Sequence, residues 1–458
     1  MNLLHVIPNL GPGGPTRCLV TFVKLSRISH PDIRHVVVTL QSADHYMPLV
    51  LELKRQGVEI LRGSGRETTI ARIDNADVVL LHFWSTPRFW RLLAGDLPAA
   101  RYLLWVKVLG AHAPQLFNRR LLADMAQLVF TAKPPPEVAT EFETARVVPG
   151  LVDNQRVGAI TPRPHAGFNA DYIGTTNRGK MHPRFIDMMA RLDIADLKVR
   201  ICGGVLDPGI AAAIGGAPMP ERFECLGFVE DIASVLQTSD VFAYPLAERT
   251  YATSDKSLQE AMLAGVPPVI LPHGGPVRFV IDGRNGIVAR SEDEFVEAIQ
   301  HLHRHPDKRR ALGREARQSA LAMFSAERHV ATLMRTIEAT MPRPKRRLLD
   351  RGDPTMPARS PSLLFLLSQD WNEAAAQDAI IDWHAGRTAA LEAYAQGLDD
   401  DAFQVEGGIL HWRNECPEDP LLRFWTALWL KRHDRHDEAD REMAEAMRLG
   451  APEAAAQL

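Results

Sequence analysis

Acids, cations and glycines capable of chemistry gather in four short stretches of this sequence. The stretch "SDKSLQEAMLAGVPPVI" (254–270) places one acid, Glu260, inside a helix signal. Leu258, Ala261, Met262 and Gly265 recur at spacings of three and four and form the stripe that such a helix buries. Glu260 stands two positions from Leu258, about 200° around the helix, so it lies off that stripe. Two readings of the acid stand. Ser257-Leu-Gln-Glu260 fits a capping box, in which the carboxylate turns back onto a backbone N–H. Alternatively it faces a ligand and accepts two hydroxyls of a sugar or ribose, as a bidentate carboxylate does well.

The other three stretches sit at strand ends. In "PNLGPGGPTR" (8–17), Gly11, Gly13 and Gly14 let backbone approach a ligand closely, and the helix that follows offers free N–H groups and a positive dipole end. Phosphate suits such a turn. A dinucleotide fingerprint does not fit, because Thr16 stands where a third glycine belongs and "VVVTLQS" ends without a ribose-binding acid. In "YIGTTNRGKMHPRF" (172–185), Arg178 and Lys180 could neutralise charge on a departing diphosphate. In "LPHGGPVRFVIDGRNGIV" (271–288), His273 is open to a structural or a contact role. His82, closing "ADVVLLH", is a further crevice candidate.

The elements that must position these residues form a regular series. Seven apolar runs, from "LLHVIP" (3–8) to "ARVVPG" (145–150), alternate with helix signals. Six more follow, from "NADYIGTT" (169–176) to "NGIVA" (285–289). Continuous apolar strands separated by helices indicate parallel sheets covered on both faces. The expected organisation is two doubly wound α/β domains, 1–150 and 151–341, facing a cleft lined by the carboxyl ends of their strands. A Pro- and Arg-rich stretch, 342–362, reads as a solvated linker whose Lys345-Arg346-Arg347 cluster could touch anionic lipid. The remainder, 363–458, is helical and holds five of the eight tryptophans, which are expected in its core. Arg387 and Arg435, about 48 residues apart, each open a helix in a tetratricopeptide-type pattern.

Composition narrows the function classes. A formal net charge of −3 gives no general attraction to nucleic acid. The four scattered cysteines form no Cys-x-x-Cys pair and fit a reducing cytosol. "MNLLHVIPNLG" shows no basic n-region, and no apolar run approaches the length of a spanning helix. The expectation is a cytoplasmic protein, with any membrane contact peripheral, at the inner face.

In their order and spacing, "YIGTTNRGK", "LKVRICGG", "RFECLGFVEDIASVLQTSDVFAYP", "SLQEAMLAGVPPV", "GGPVRFVIDGRNGIV" and "HPDKRRALGREARQSALAMFSAERH" resemble glycosyltransferase family 4, the retaining GT-B nucleotide-sugar enzymes. The resemblance covers roughly 1–340. It implies a GT-B fold for that part, outside which the small all-α domain is appended. The implied activity is transfer of a sugar from a nucleotide diphosphate to an acceptor hydroxyl, without cofactor or metal, so the acidic run 399–401 is no metal site. In the family a Gly-Gly followed by Arg opens the first long helix, matching Gly13, Gly14 and Arg17. Glu260 matches the second acid of a Glu-x7-Glu pattern, the ribose-binding one, with Ser257 and Leu258 placing backbone near the diphosphate or base. The first acid of that pattern falls on Ala252, leaving Asp255 or Glu248 to substitute. Lys180 matches the lysine of an Arg-x4-Lys phosphate pair, but Thr175 stands at the arginine, with Arg178 as replacement. A first-domain histidine beside the sugar aligns with Lys107, and His112 follows five residues later. Family habit points to cell-envelope or extracellular polysaccharide, with a glycan, lipid-linked or protein acceptor. The helical domain suggests a protein partner. A degenerate GT-B scaffold is the alternative that Ala252 and Thr175 favour.

Overall fold

A computed structural model describes residues 1–43, 45–95, 97–152, 157, 160–350 and 358–457. The stretch expected as a linker, 342–362, therefore lies partly outside the described residues.

All thirteen apolar runs form strands. The first sheet holds β1 (Asn2–Ile7), β2 (Arg34–Thr39), β3 (Glu59–Arg62), β4 (Val78–Phe83), β5 (Tyr102–Val106), β6 (Gln127–Phe130) and β7 (Arg146–Val147). They are parallel and ordered β3-β2-β1-β4-β5-β6-β7. Every residue of β4 and β5 is buried, as uninterrupted apolar runs require when helices cover both faces. The second sheet holds β8 (Phe168–Ile173), β9 (Leu197–Cys202), β10 (Phe223–Gly227), β11 (Val241–Tyr244), β12 (Pro268–Ile270) and β13 (Ile287–Val288). Its order is β10-β9-β8-β11-β12-β13, again parallel. Strand order reverses between β1 and β4 in one sheet and between β8 and β11 in the other. The loops leaving those strands open a crevice at each reversal.

Packing divides the chain differently from the boundaries at 341 and 362. The helix Ala326–Glu338 returns to the first sheet, where Val330, Leu333, Met334 and Ile337 bury against Leu3, Phe22 and Trp105. Of the stretch expected as a solvated linker, the described residues 342–350 pack on the first domain. Arg346 and Ala100 exchange backbone hydrogen bonds at 3.0 and 2.9 Å, and Leu348 and Leu349 enter the first-domain core. Two adjacent leucines outweigh the polar composition around them, because each gains about 1.5–3 kcal/mol on burial. Lys345, Arg346 and Arg347 remain exposed.

Helical structure resumes at Pro361–Ser368, whose residues from Ser362 onward are all buried, against Pro87–Ala94 of the first domain. One apolar cluster joins Phe89 and Trp90 to Phe365, Trp383, Trp412 and Trp425. The helical region therefore shares the first domain's core, and its tryptophans are packing residues as expected. Asp399 caps the helix Asp400–Gln404 through the N–H of Ala402 (3.0 Å), and Asp400 accepts from Trp429 Nε1 (3.0 Å). That accounts structurally for two acids of the 399–401 run. No described helix is long and apolar enough to cross a membrane.

Candidate active site in the interdomain cleft

A cavity of about 610 Å³ lies between the two sheets. Its walls carry four cations (Arg17, Lys107, Lys180, Lys256) and three carboxylates (Asp255, Glu260, Glu406). Two hydrogen bonds from backbone N–H groups hold the domains at its edge: Gly150 N–H donates to the Ser254 side-chain Oγ (2.7 Å), and Leu109 N–H donates to the Tyr251 carbonyl (2.9 Å).

Two helices begin at this cavity and meet there. Gly14–Ser29 starts at Gly13 with no side-chain cap and no acid in its first turn. Lys256–Leu263 starts at Asp255, also without a side-chain cap and without an acid in its first turn. They are so close that a β-carbon on Gly14 would lie 3.8 Å from Lys256 Cγ. Each uncapped first turn carries unsatisfied N–H groups and roughly half a positive charge. Like ends brought together this way favour an anion between them, and Lys256 adds a full charge.

Asp255 shapes the second helix start. It has φ +27°, a backbone region that non-glycine residues seldom occupy. Its carboxylate is held from both sides, by the Lys180 ammonium at 3.4 Å and the Tyr244 hydroxyl at 2.7 Å. Those contacts draw the carboxylate away from the helix it would otherwise cap. Strain of about 1–3 kcal/mol persists where surrounding contacts over-determine it, and such residues cluster at functional sites.

The capping-box reading of Glu260 fails on this geometry. Ser257 lies inside the helix, two residues past the Asp255 cap, and its hydroxyl approaches Tyr244 Oη at 3.4 Å. Glu260 lines the cavity and is 6% exposed. Leu258 is wholly buried in the second-domain core and does not line the cavity. Ala252 also lines the wall and presents only a methyl group. Of its suggested substitutes, Asp255 lies in the cavity and Glu248 is exposed outside it. Behind this wall, a β-carbon at Gly275 would lie 2.2 Å from the Thr253 carbonyl, so the His273-Gly274-Gly275 turn braces the segment. His273 itself stands off the cavity.

The loop after β8 brings Lys180 to the cavity and leaves Arg178 on the surface. The Arg178 guanidinium lies beside Gly209, and Thr175 occupies the rim. His112 likewise stands outside the cavity wall. Burial, then the charge of Arg249, lowers its pKa.

The cavity floor is built from β4 and β5. Lys107 is buried, with Nζ 3.0 Å from the centre of the Trp105 ring and no hydrogen-bond partner among the described residues. Burial, with the nearby Lys256 charge, lowers its pKa to about 7, while Cys18 opposes the shift. His82 is also buried, and burial followed by the charge of Lys107 lowers its pKa. Three imidazoles run from it into the core. His82 Nε2 lies 3.2 Å from His5 Nδ1, and His5 Nε2 lies 3.0 Å from His35 Nδ1. His35 Nε2 then lies 3.2 Å from Ser26 Oγ, which donates to the Val23 carbonyl.

That last contact assigns the tautomers, since hydrogens are inferred from the network. Burial keeps all three rings neutral, so each carries one N–H. Ser26 has spent its proton on Val23, so His35 donates from Nε2 and accepts at Nδ1. The pattern repeats through His5 and leaves His82 Nδ1 as a bare acceptor, unpartnered among the described residues. An orphan donor on Lys107 and an orphan acceptor on His82, each costing about 1–3 kcal/mol, thus lie buried in residues that line the same cavity.

Lys256, His82 and Glu406 are functional candidates of unequal legibility. Lys256 stood in the quoted helix stretch, where only its acid drew attention. Its position at the first helical turn was the available signal. His82 was visible at a strand end, but its partners were not. Glu406, in the helical region, carried no signal at all.

The paired sheets and their cleft form a GT-B architecture. The family profile described as glycosyl transferases group 1 matches residues 170–305, the heart of the second sheet. Among solved structures, Anabaena HepE in complex with UDP-glucose is similar at 17% identity and TM-score 0.61, over 74% of this chain and 100% of that one. A glycosyltransferase from Rickettsia africae is 13% identical with TM-score 0.61, over 75% of this chain and 99% of its own. Sucrose-phosphate synthase from Thermosynechococcus elongatus is 15% identical with TM-score 0.56, over 73% and 98%. No curated protein matches the chain in sequence.

Proposed function

We propose that this protein is a glycosyltransferase that moves a sugar from a nucleotide diphosphate to an acceptor hydroxyl, with retention at the anomeric carbon. The observation that carries the reading is the meeting of two uncapped helix starts, at Gly14 and Lys256, in a cleft that also holds Lys180 and Glu260. The diphosphate lies between the helix ends, with Lys256 and Lys180 beside it and Gly13 and Gly14 allowing close approach. Glu260 accepts the ribose hydroxyls. Lys107 and His82 hold a hydroxyl of the transferred sugar from below, and Ser257 contributes backbone N–H near the diphosphate.

In the transfer, the sugar's C1–O bond breaks and the electron pair leaves with the diphosphate. The acceptor oxygen bonds C1 from the same face, and its proton passes to a departing phosphate oxygen. Cations and helix ends stabilise the charge that develops on the leaving group, so the scheme needs no metal or other cofactor. Retention, membership of family 4 and a place in cell-envelope or extracellular polysaccharide assembly rest on the resemblance of the landmark motifs. A glycan, lipid-linked or protein acceptor, a tetratricopeptide-like protein contact and a cytoplasmic, membrane-face location belong to the same proposal. The HepE structures with UDP and UDP-glucose support the choice of nucleotide-sugar ligands.

A second reading, a non-catalytic scaffold, draws on Ala252 and on the engagement of Lys180 by Asp255. Calorimetry with UDP, GDP, ADP and their hexose derivatives, followed by donor-hydrolysis assays, separates the two. Binding with turnover supports the enzyme. Binding without turnover favours the scaffold, and no binding refutes both nucleotide roles.

A further inference from the structure

The helical region sends one loop into the cleft. Between Asp400–Gln404 and Ile409–Glu415, Val405 and Glu406 reach the cavity wall, more than two hundred positions in sequence from the loop they touch at Gly179.

The loop is locked in place by both α/β domains. Gln115 Nε2 donates to the Glu406 carbonyl (2.6 Å) and to the Ser85 carbonyl (3.0 Å), while Gln115 Oε1 accepts from Ser85 N–H (2.9 Å). Gly407 has φ +90°, and a β-carbon there would lie 2.1 Å from the Ser85 carbonyl. On the other side, a β-carbon at Gly179 would lie 2.8 Å from Val405 Cγ2, so the loop packs against the residue preceding Lys180. Arg249 and Asp399 add an ion pair at 2.8 Å between the second domain and the helical region.

The resulting corner has the composition of a sugar site. Trp84 and Tyr251, with ring centres 5.1 Å apart, come one from each α/β domain. Glu406 comes from the third region and opens onto the cavity. Desolvation by the surrounding protein raises its carboxyl above the usual range, while a hydrogen bond with the Trp84 indole opposes that shift. Aromatic faces cover sugar C–H edges, and a carboxylate is an acceptor-only group suited to hydroxyl pairs. Asp255 is held by Lys180 and Tyr244, and Glu260 lies on the helix that receives the nucleotide, which leaves Glu406, beside the Trp84 indole, as the acid that opens onto the cavity at this corner.

We propose that Glu406 accepts hydroxyls of the hexose carried by the nucleotide donor, so that the helical region completes the sugar subsite rather than merely being appended to it. This rests on the donor reading above. Val405 packs on the Lys180 loop, which puts Glu406 beside the phosphate end of the donor. The hexose bridges from the Lys107–His82 floor to this rim.

The test is calorimetry of the full-length protein with UDP, GDP and ADP and with their glucose and galactose derivatives. Glu406→Gln should bind the nucleotide sugar about tenfold more weakly while binding the nucleotide diphosphate as wild type does, because a charge-assisted hydrogen bond is lost from the sugar alone. Glu406→Asp, which keeps the charge but withdraws it, should lose the same increment. Both variants should melt with the wild type. Unchanged nucleotide-sugar affinity in both variants overturns the inference while leaving the donor reading intact. Parallel loss of both ligands also overturns it, since Glu406 would then act through domain position. Wild type binding none of the panel overturns the donor reading itself, and this inference with it.

Discussion

Lys107 offers the sharpest test of the cleft chemistry. Its ammonium is buried with no hydrogen-bond partner among the described residues, and burial lowers its pKa from 10.5 to about 7. Near neutrality the group is therefore half-charged in the free protein. A bound diphosphate brings negative charge into the same cavity and pulls the proton back on. If the bound pKa returns to about 9, linkage gives an affinity loss of about fifty-fold between pH 6 and pH 9. Titration calorimetry in buffers of different ionisation enthalpy reads the proton directly, and at pH 8 binding should take up close to one. Lys107→Met should abolish both the uptake and the pH dependence.

The same variant carries a stability signature of fixed sign. A lysine with a lowered folded pKa binds fewer protons than the unfolded chain between about pH 7 and 10.5, so its penalty is full below pH 7 and fades as pH rises. A shift of that size corresponds to roughly 5 kcal/mol at neutral pH. Lys107→Met should thus raise the melting temperature at pH 6 and have progressively less effect toward pH 10. A variant that loses affinity uniformly at all pH, with no proton uptake in the wild type, would refute the reasoning. So would destabilisation by methionine at pH 6.

Three other outcomes follow from the geometry. Glu260→Gln should weaken nucleotide-diphosphate binding roughly tenfold to a hundredfold by calorimetry, the worth of charge-assisted bonds to two ribose hydroxyls; unchanged affinity removes the ribose role. Lys256→Gln should weaken the same binding most at low salt, with the difference from wild type shrinking as ionic strength rises; a salt-independent loss points away from a charge contact. Gly407→Ala, at φ +90° against the Ser85 carbonyl, should lower the chemical-denaturation midpoint by the equivalent of about 1–3 kcal/mol or more and reduce nucleotide-sugar affinity with it; a neutral effect means the loop is not locked.

The fold was largely legible in the sequence. Runs such as "VVLLHF" and "YLLWV" are apolar at every position because both faces of a parallel strand are covered, and that is a local property of composition. The glycines at 13 and 14 and the helix after Asp255 were legible for a similar reason, since turns and helix starts obey short-range stereochemistry. Within the stretch expected as a linker, 342–362, prolines and arginines set the local composition, while the packing of the described residues 342–350 comes from Leu348 and Leu349, which enter a core formed by residues distant in sequence.

The site was less legible, and the reason is distance along the chain. Sequence marked Glu260 with a cap and a ligand reading side by side; only the tertiary structure, with Asp255 as the cap residue and Glu260 on the cavity wall, removes the capping-box geometry. It marked His82 and Lys107 as residues near a strand end. That one is a bare acceptor and the other an unpartnered cation depends on Ser26, His35 and His5, which are contributed by a helix and two other strands. Glu406 had no local pattern to announce it. Periodicity and turn chemistry are set by neighbours a few residues away, so the sequence alone determined the strands, the helices and their doubly wound order. Electrostatic and hydrogen-bond partnerships act through space at about 3 Å, so only the tertiary structure decided which charges share the cleft and that a third region supplies one of them.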